Sequence, residues 1–255
     1  MFAGFDDGDF IGRRKPRIFI GSVGVGTGTM TDGSTARGWV DDPATFAAAL
    51  DDLKSAGCLL LVLEAGGSDA GGDGCRRLLG GDDGRARKRV FVRSDADTHT
   101  TSSTPTGDDP DERTVVYRSG ARDATAATPP EPSLPSSAVA TDVDALADRV
   151  ASEAEALAPL DGYDPGQLRV CMDALGTLLD DDDLLSVLEF TKALGDLARE
   201  RDAIAHVHVG QHVPGIAVEG LLGQFDAVVE VTGDDDPRQR WHLPDESLST
   251  RWLEL

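Results

Sequence analysis

Cys58-Leu-Leu-Leu-Val-Leu63 is a continuous apolar run, and Glu64-Ala-Gly-Gly-Ser-Asp-Ala-Gly-Gly-Asp-Gly74 follows it directly. Six apolar residues without alternation have the length of a strand buried on both faces, which is how the strands of a parallel sheet read. Upstream, Asp41 or Asp42 can cap a helix that has Pro43 at its first position, where no backbone N–H is needed. Phe46, Leu50 and Leu53 recur at helical spacing, and Gly57 ends the helix. The opening unit is therefore helix, buried strand, a glycine-rich turn over 66–74, and a short helix over about 75–80.

The same alternation continues downstream. Strands are predicted at Arg89–Arg93, Thr114–Tyr117, Leu168–Met172, Ala203–Val209 and Phe225–Val231. A helix begins at Asp142, with Val143, Leu146, Val150 and Leu157 on one side. Another begins at Asp182 or Asp183 and runs to about 201, with Leu184, Val187, Leu188, Thr191 and Leu194 at helical spacing. Ile216–Leu222 is a short helix. Stretches 238–243 and 248–253 read as a terminal antiparallel pair turning at Pro244-Asp245-Glu246. Irregular loops are expected at about 94–112 and 119–138, where Pro129, Pro130 and Pro132 exclude regular structure. Strands alternating with helices predict an α/β fold whose mainly parallel sheet is covered on both faces, ending in a C-terminal antiparallel strand pair. Residues 30–255 read as one domain. Residues 1–29, with basic Arg13, Arg14, Lys15 and Arg17 and the glycines of 21–28, read as a flexible extension, with translation expected to start at Met30. An added edge strand at 17–21 is the competing reading.

Charge sets the environment. The 46 acidic residues outweigh the 24 Lys and Arg to give a formal net charge of −22. Asp greatly outnumbers Glu, and Lys15, Lys54, Lys88 and Lys192 are the lysines. Such carboxylates repel one another in ordinary salt. At molar salt the Debye length falls to about 3 Å and the repulsion is screened. The composition suits a cytoplasm with molar potassium, as in halophilic archaea. It offers no basic stripe for phosphates, so nucleic acid is excluded as a partner. No apolar run reaches spanning length and no signal peptide precedes the domain, so a cytoplasmic protein with no membrane partner is expected. Cys58, Cys75 and Cys171 are too far apart in sequence for a CxxC metal site and odd in number for a disulfide framework. Two of them lie in apolar runs, where a thiol acts as a small hydrophobe.

The glycine stretch after the first buried strand has the strand, loop and helix context of a phosphate-binding loop. Placing Gly67 on the first glycine of that pattern puts Gly72 on the second, Asp73 where a phosphate-binding lysine belongs and Gly74 where a magnesium-holding hydroxyl belongs. A carboxylate in place of the cation reverses the local charge, so Gly67, Gly72, Asp73, Gly74 and Asp173 make at most a degenerate nucleotide site. Asp173 ends its strand in the manner of a magnesium-placing acid, and also in the manner of a common cap. His206 and His208 point to one face of their strand, with His212 just beyond it. Together with Asp173 or Glu64 they could begin a zinc site. The plainer reading is a hydrogen-bonded histidine pair beneath a helix. The acidic run 180–183 reads as a solvated helix start.

Leu168-Arg-Val-Cys-Met-Asp-Ala-Leu-Gly-Thr-Leu-Leu179 resembles the Walker B strand of RecA/KaiC-like proteins. Ile204-Ala-His-Val-His-Val209 and Gly223-Gln-Phe-Asp-Ala-Val-Val-Glu230 resemble the two strands that follow it in that superfamily. Over roughly 42–255 the chain is similar to haloarchaeal KaiC-like proteins that have lost the phosphate loop. The resemblance implies a RecA-like three-layer α/β/α fold and a regulatory or scaffold protein that acts by associating with a protein partner or with itself. With Asp73 and Gly74 in the key positions, no catalytic residue and no cofactor are expected. The alternatives are a nucleotide-binding ATPase or metal-dependent enzyme with a residual site at the carboxyl edge of the sheet, or a sensor of a small ligand in the same crevice. The charge makes the first prediction. In molar KCl the chain should show a folded near-ultraviolet dichroism spectrum that is lost on dialysis to about 0.1 M salt. An unchanged spectrum at low salt contradicts the salt-adapted reading.

Overall fold

The computed structural model describes residues 43–65, 68–80, 84–95, 109–118, 137–210, 213, 215–233 and 236–255. The extension 1–29, the start at Met30, the strand at 17–21, the caps at Asp41 and Asp42, Gly67, His212 and most of the two long loops lie outside these residues.

In chain order the elements are α1 (Pro43–Ala56), β1 (Cys58–Ala65), α2 (Ser68–Leu78), β2 (Lys88–Ser94), β3 (Glu112–Tyr117), β4 (Ser137–Ala140) and α3 (Val143–Leu157). Then come β5 (Leu168–Asp173), α4 (Leu175–Asp181), α5 (Leu184–Glu200), β6 (Ile204–Val209), α6 (Gly215–Leu221) and a 3-10 turn (Leu222–Gln224). The chain closes with β7 (Ala227–Thr232), β8 (Arg238–Leu243), β9 (Leu248–Ser249) and β10 (Leu253–Glu254). The strands form one sheet in the order β10-β8-β7-β1-β6-β5-β2-β3-β4, with β9 also on β8. From β7 through β4 every pairing is parallel, and β8 pairs antiparallel with β7, β9 and β10. The fold is thus α/β with a mostly parallel sheet and antiparallel pairs at its C-terminal edge, as the sequence predicts. No helix among the described residues is long and apolar enough to cross a membrane.

Alternate residues along each strand feed two faces. Leu59 and Leu61 of β1, Val170 and Met172 of β5 and Val207 of β6 pack with Leu146, Val150, Phe190 and Leu194 of α3 and α5. On the opposite face Leu60, Val62, Val229 and Val231 pack with Trp241 and with Phe46, Leu50 and Leu53 of α1. Full burial of a leucine such as Leu59, Leu61 or Leu146 contributes about 1.5–3 kcal/mol. The turn between α1 and β1 depends on Gly57. Its φ is +71°, and a Cβ there would stand 2.2 Å from the Ala198 carbonyl oxygen.

Three local expectations are revised. β4 takes up Ser137–Ala140, at the end of a stretch read as loop, where four small residues give no alternation to read; it pairs with β3. The segment after β5 forms α4, so the acidic run is split: Asp181 closes α4 and Asp183 caps α5, accepting from the backbone N–H groups of Leu185 and Ser186. The glycine-rich turn ends early, because α2 begins at Ser68 rather than near residue 75.

The antiparallel edge is held by one acid. Glu230 on β7 lies opposite Arg240 on β8 and accepts from Arg240 Nη2 at 2.5 Å. It also bonds His242 Nε2 at 2.7 Å, while His242 Nδ1 meets Ser249 Oγ of β9 at 2.9 Å. Burial pushes the Glu230 carboxyl up, but its bonds to His242 and Arg240 outweigh this and hold it below its ordinary value of 4.5. A carboxylate whose folded pKa is depressed stabilises the protein above its unfolded pKa and loses that contribution as pH falls through the folded value. Glu230→Gln should therefore cost roughly 1–2 kcal/mol by denaturant unfolding near neutral pH. The deficit should shrink below pH 4.5. A deficit independent of pH contradicts the assignment.

Candidate functional site

The parallel register brings chemistry together on the face beneath α2. Leu60 pairs with His206 and Val62 with His208 across β1 and β6, and Cys171 on β5 pairs with His206. Residues two apart on a strand share a face, so Cys171, His206, His208 and Glu64 all point the same way. Cys75 descends onto them from α2, as part of a small buried cluster with Leu79, Phe91 and Cys171.

The geometry is tight. Cys75 Sγ lies 3.3 Å from Cys171 Sγ and 3.4 Å from His206 Nε2. One potential ligand atom from each of Cys75, Cys171, His206 and His208 falls within 4.8 Å of the others, and all four residues are buried. His206 is fully inaccessible and His208 4% exposed. The two imidazoles meet edge to face, 5.1 Å between centroids. His208 Nδ1 bonds Glu64 Oε1 at 2.8 Å, which fixes the ring and leaves Nε2 directed inward. That Nε2, and Nδ1 of His206, are buried without a hydrogen-bond partner. The thiols are free and not disulfide-linked.

These groups perturb one another strongly. The Cys171 hydrogen bond, with help from the histidines, holds the Cys75 thiol well below its usual range against the opposing effect of burial. The Cys171 thiol is pushed well up by the same bond and by its own burial. Burial, helped by the charges of His208 and Arg169, lowers His206 against the opposing pull of Cys75. Burial also presses on His208, but the nearby Cys75 sulfur and the bond to Glu64 outweigh that and raise it to about 10. The third cysteine makes the contrast: Cys58, outside the cluster, is pushed up by burial to about 12 and is an inert thiol.

Glycine places α2 this low on the sheet. A Cβ on Gly71 would stand 2.5 Å from Glu64 Oε1, and one on Gly74 3.3 Å from Val231 Cγ2. Any larger residue at Gly71 would move the carboxylate that orients His208. The cost is propensity, since each of Gly71, Gly72 and Gly74 is about 1 kcal/mol worse than alanine in a helix interior.

The residues expected in a phosphate site are therefore dispersed. Gly72, Asp73 and Gly74 are helical, and Asp73 accepts from Arg76 Nη1 at 2.6 Å on the outer side of α2. Asp173 ends β5 in register with Arg93. Of the four candidate metal ligands, His206 and His208 join the cluster, Glu64 supports His208 from behind, and Asp173 is not among the converging groups. Cys75 and Cys171, too far apart in the sequence to be read as a metal site, complete it. The shared register of Cys171 and His206 follows from the parity of two adjacent strands. The approach of Cys75 follows only from the packing of α2.

The chain belongs to a family of unknown function, DUF7504, which matches residues 57–231. That span runs from β1 into β7 and contains every residue of the cluster. No curated protein matches the chain significantly. Among solved structures it is similar to a structural-project protein from Pyrococcus horikoshii OT3, with 11% identity and a TM-score of 0.45, over 76% of this chain and 90% of that one. A likeness so shallow decides neither the fold nor the activity.

Proposed function

We propose that this chain is a non-catalytic RecA-like domain that works by protein association, as a regulator or scaffold in a salt-rich cytoplasm. One observation carries this reading. The place of a phosphate loop is filled by α2 from Ser68 onward, seated on Glu64 and Val231 through Gly71 and Gly74. Phosphoryl transfer is mostly positioning and charge stabilisation, supplied by loop N–H groups, a lysine and a magnesium ion. A helix interior has already committed its N–H groups to its own carbonyls. Asp73, in the lysine's place, is engaged by Arg76.

Calorimetric titration with ATP·Mg2+ in molar KCl should give no binding heat and no turnover. Turnover by the unmodified protein that Asp173→Asn abolishes contradicts the reading. Association has a surface to use, because Leu185 and Ile216, on α5 and α6, are 64% and 81% exposed. A second copy of the chain is the simplest occupant, since molar salt screens the repulsion between two acidic molecules. Sedimentation in molar KCl should show a dimer that the double change Leu185→Glu, Ile216→Glu reduces to monomer. A wild-type monomer at all concentrations rejects self-association.

A further inference from the structure

We infer that Cys75, Cys171, His206 and His208 form a closed four-ligand site for one Zn2+ ion, with Glu64 as the outer partner that orients His208.

The donor set is the first reason. Two thiolates and two imidazoles are a standard tetrahedral complement for zinc, and soft sulfur with nitrogen disfavours calcium or magnesium, which take oxygen. Spacing is the second. With Zn–S near 2.3 Å and Zn–N near 2.0 Å, tetrahedral ligands stand about 3.3–3.8 Å apart. The observed Sγ–Nε2 separation of 3.4 Å is close to the tetrahedral S–N distance of about 3.5 Å, and the Sγ–Sγ separation of 3.3 Å needs to open by about 0.5 Å to reach the S–S distance of about 3.8 Å. The widest separation, at most 4.8 Å, needs a contraction of up to about 1.5 Å.

Polar accounting is the third. A buried imidazole nitrogen without a partner costs about 1–3 kcal/mol. His208 Nε2 is such an atom, in a ring whose other nitrogen is held by a carboxylate. A carboxylate behind a histidine whose far nitrogen points at a metal is the usual outer support of a zinc ligand. The charge also closes within the four-ligand shell, because two thiolates neutralise the ion and the two imidazoles are neutral. On binding, the protons still held by the cluster leave to solvent, so that Cys75 and Cys171 ligate as thiolates and His206 and His208 as neutral imidazoles, and no electrons move.

All four positions belong to the protein and all are buried, so no coordination place is open to a substrate. The site is therefore structural, and it staples the glycine-rich α2 to β5 and β6. This does not depend on how the chain associates or whether it binds nucleotide.

The test uses the full chain in molar KCl with a phosphine reductant. Metal analysis after purification with zinc present should give about one equivalent per chain. Exchange into Co2+ should produce intense visible bands of a tetrahedral ion and a near-ultraviolet thiolate-to-cobalt band. Cys75→Ser and His208→Gln should each remove the thiolate-tetrahedral spectrum, and Cys58→Ser should keep it. Should the variants fail to fold, cobalt titration of chelator-stripped wild type, read against a competing colorimetric chelator, decides the matter alone. Substoichiometric zinc, with cobalt taken up only in a weak octahedral spectrum, overturns the proposal. So does a Cys75–Cys171 disulfide that persists in the reductant.

Discussion

The close seating of α2 on the sheet is the constraint from which the rest of the site follows. Gly71 lets the helix rest against the Glu64 carboxylate, and Gly74 lets it rest against Val231. Only at that height does Cys75 reach Cys171 and His206. The three glycines make α2 a poor helix by intrinsic preference, a deficit of about 3 kcal/mol against alanine. Its apolar burial rests on Cys75 and Leu78, with Leu79 just past its end. The polar hold on the sheet comes from Arg169, which donates to the Leu78 carbonyl at the end of the helix, and from the contacts of Cys75, which improve greatly if a cation joins them.

The same seating is incompatible with a phosphate-binding loop at this place in the sheet. A phosphate loop needs exposed backbone donors and a cation at the carboxyl edge of the first strand. Here the chain becomes helical almost as soon as β1 ends, and the acid at that end, Glu64, turns toward a histidine on the neighbouring strand. Space and charge that would receive an anion are given to the interior.

Much of this was legible in the sequence because it depends on local pattern. The unbroken run Cys58–Leu63 specifies a strand buried on both faces, and the amphipathic spacing around Val187 and Leu194 specifies α5. The parity of His206 and His208 specifies a shared face. What the sequence withheld depends on long-range packing. Gly71, Gly72 and Gly74 carry turn propensity, and tertiary contact overrides it to make helix. β4 is built of small residues without alternation, and only its pairing with β3 defines it. Cys75 and Cys171 stand 96 positions apart, and no spacing rule joins them, because a crossover through several strands brings one above the other. Glu64 was visible as a metal candidate, whereas its part as the orienting acceptor for His208 required the β1–β6 register.

Hydrogen exchange of the α2 backbone amides tests the central claim most directly, because the four-ligand cluster grips the helix at Cys75. Exchange would be followed in molar KCl before and after treatment with a zinc chelator, with the amides of β1 and β6 as internal reference. The account predicts slow exchange over residues 71–78 that becomes fast on chelation while the core strands stay protected. Equal protection of α2 under both conditions would show that packing alone holds the helix, and would contradict the account.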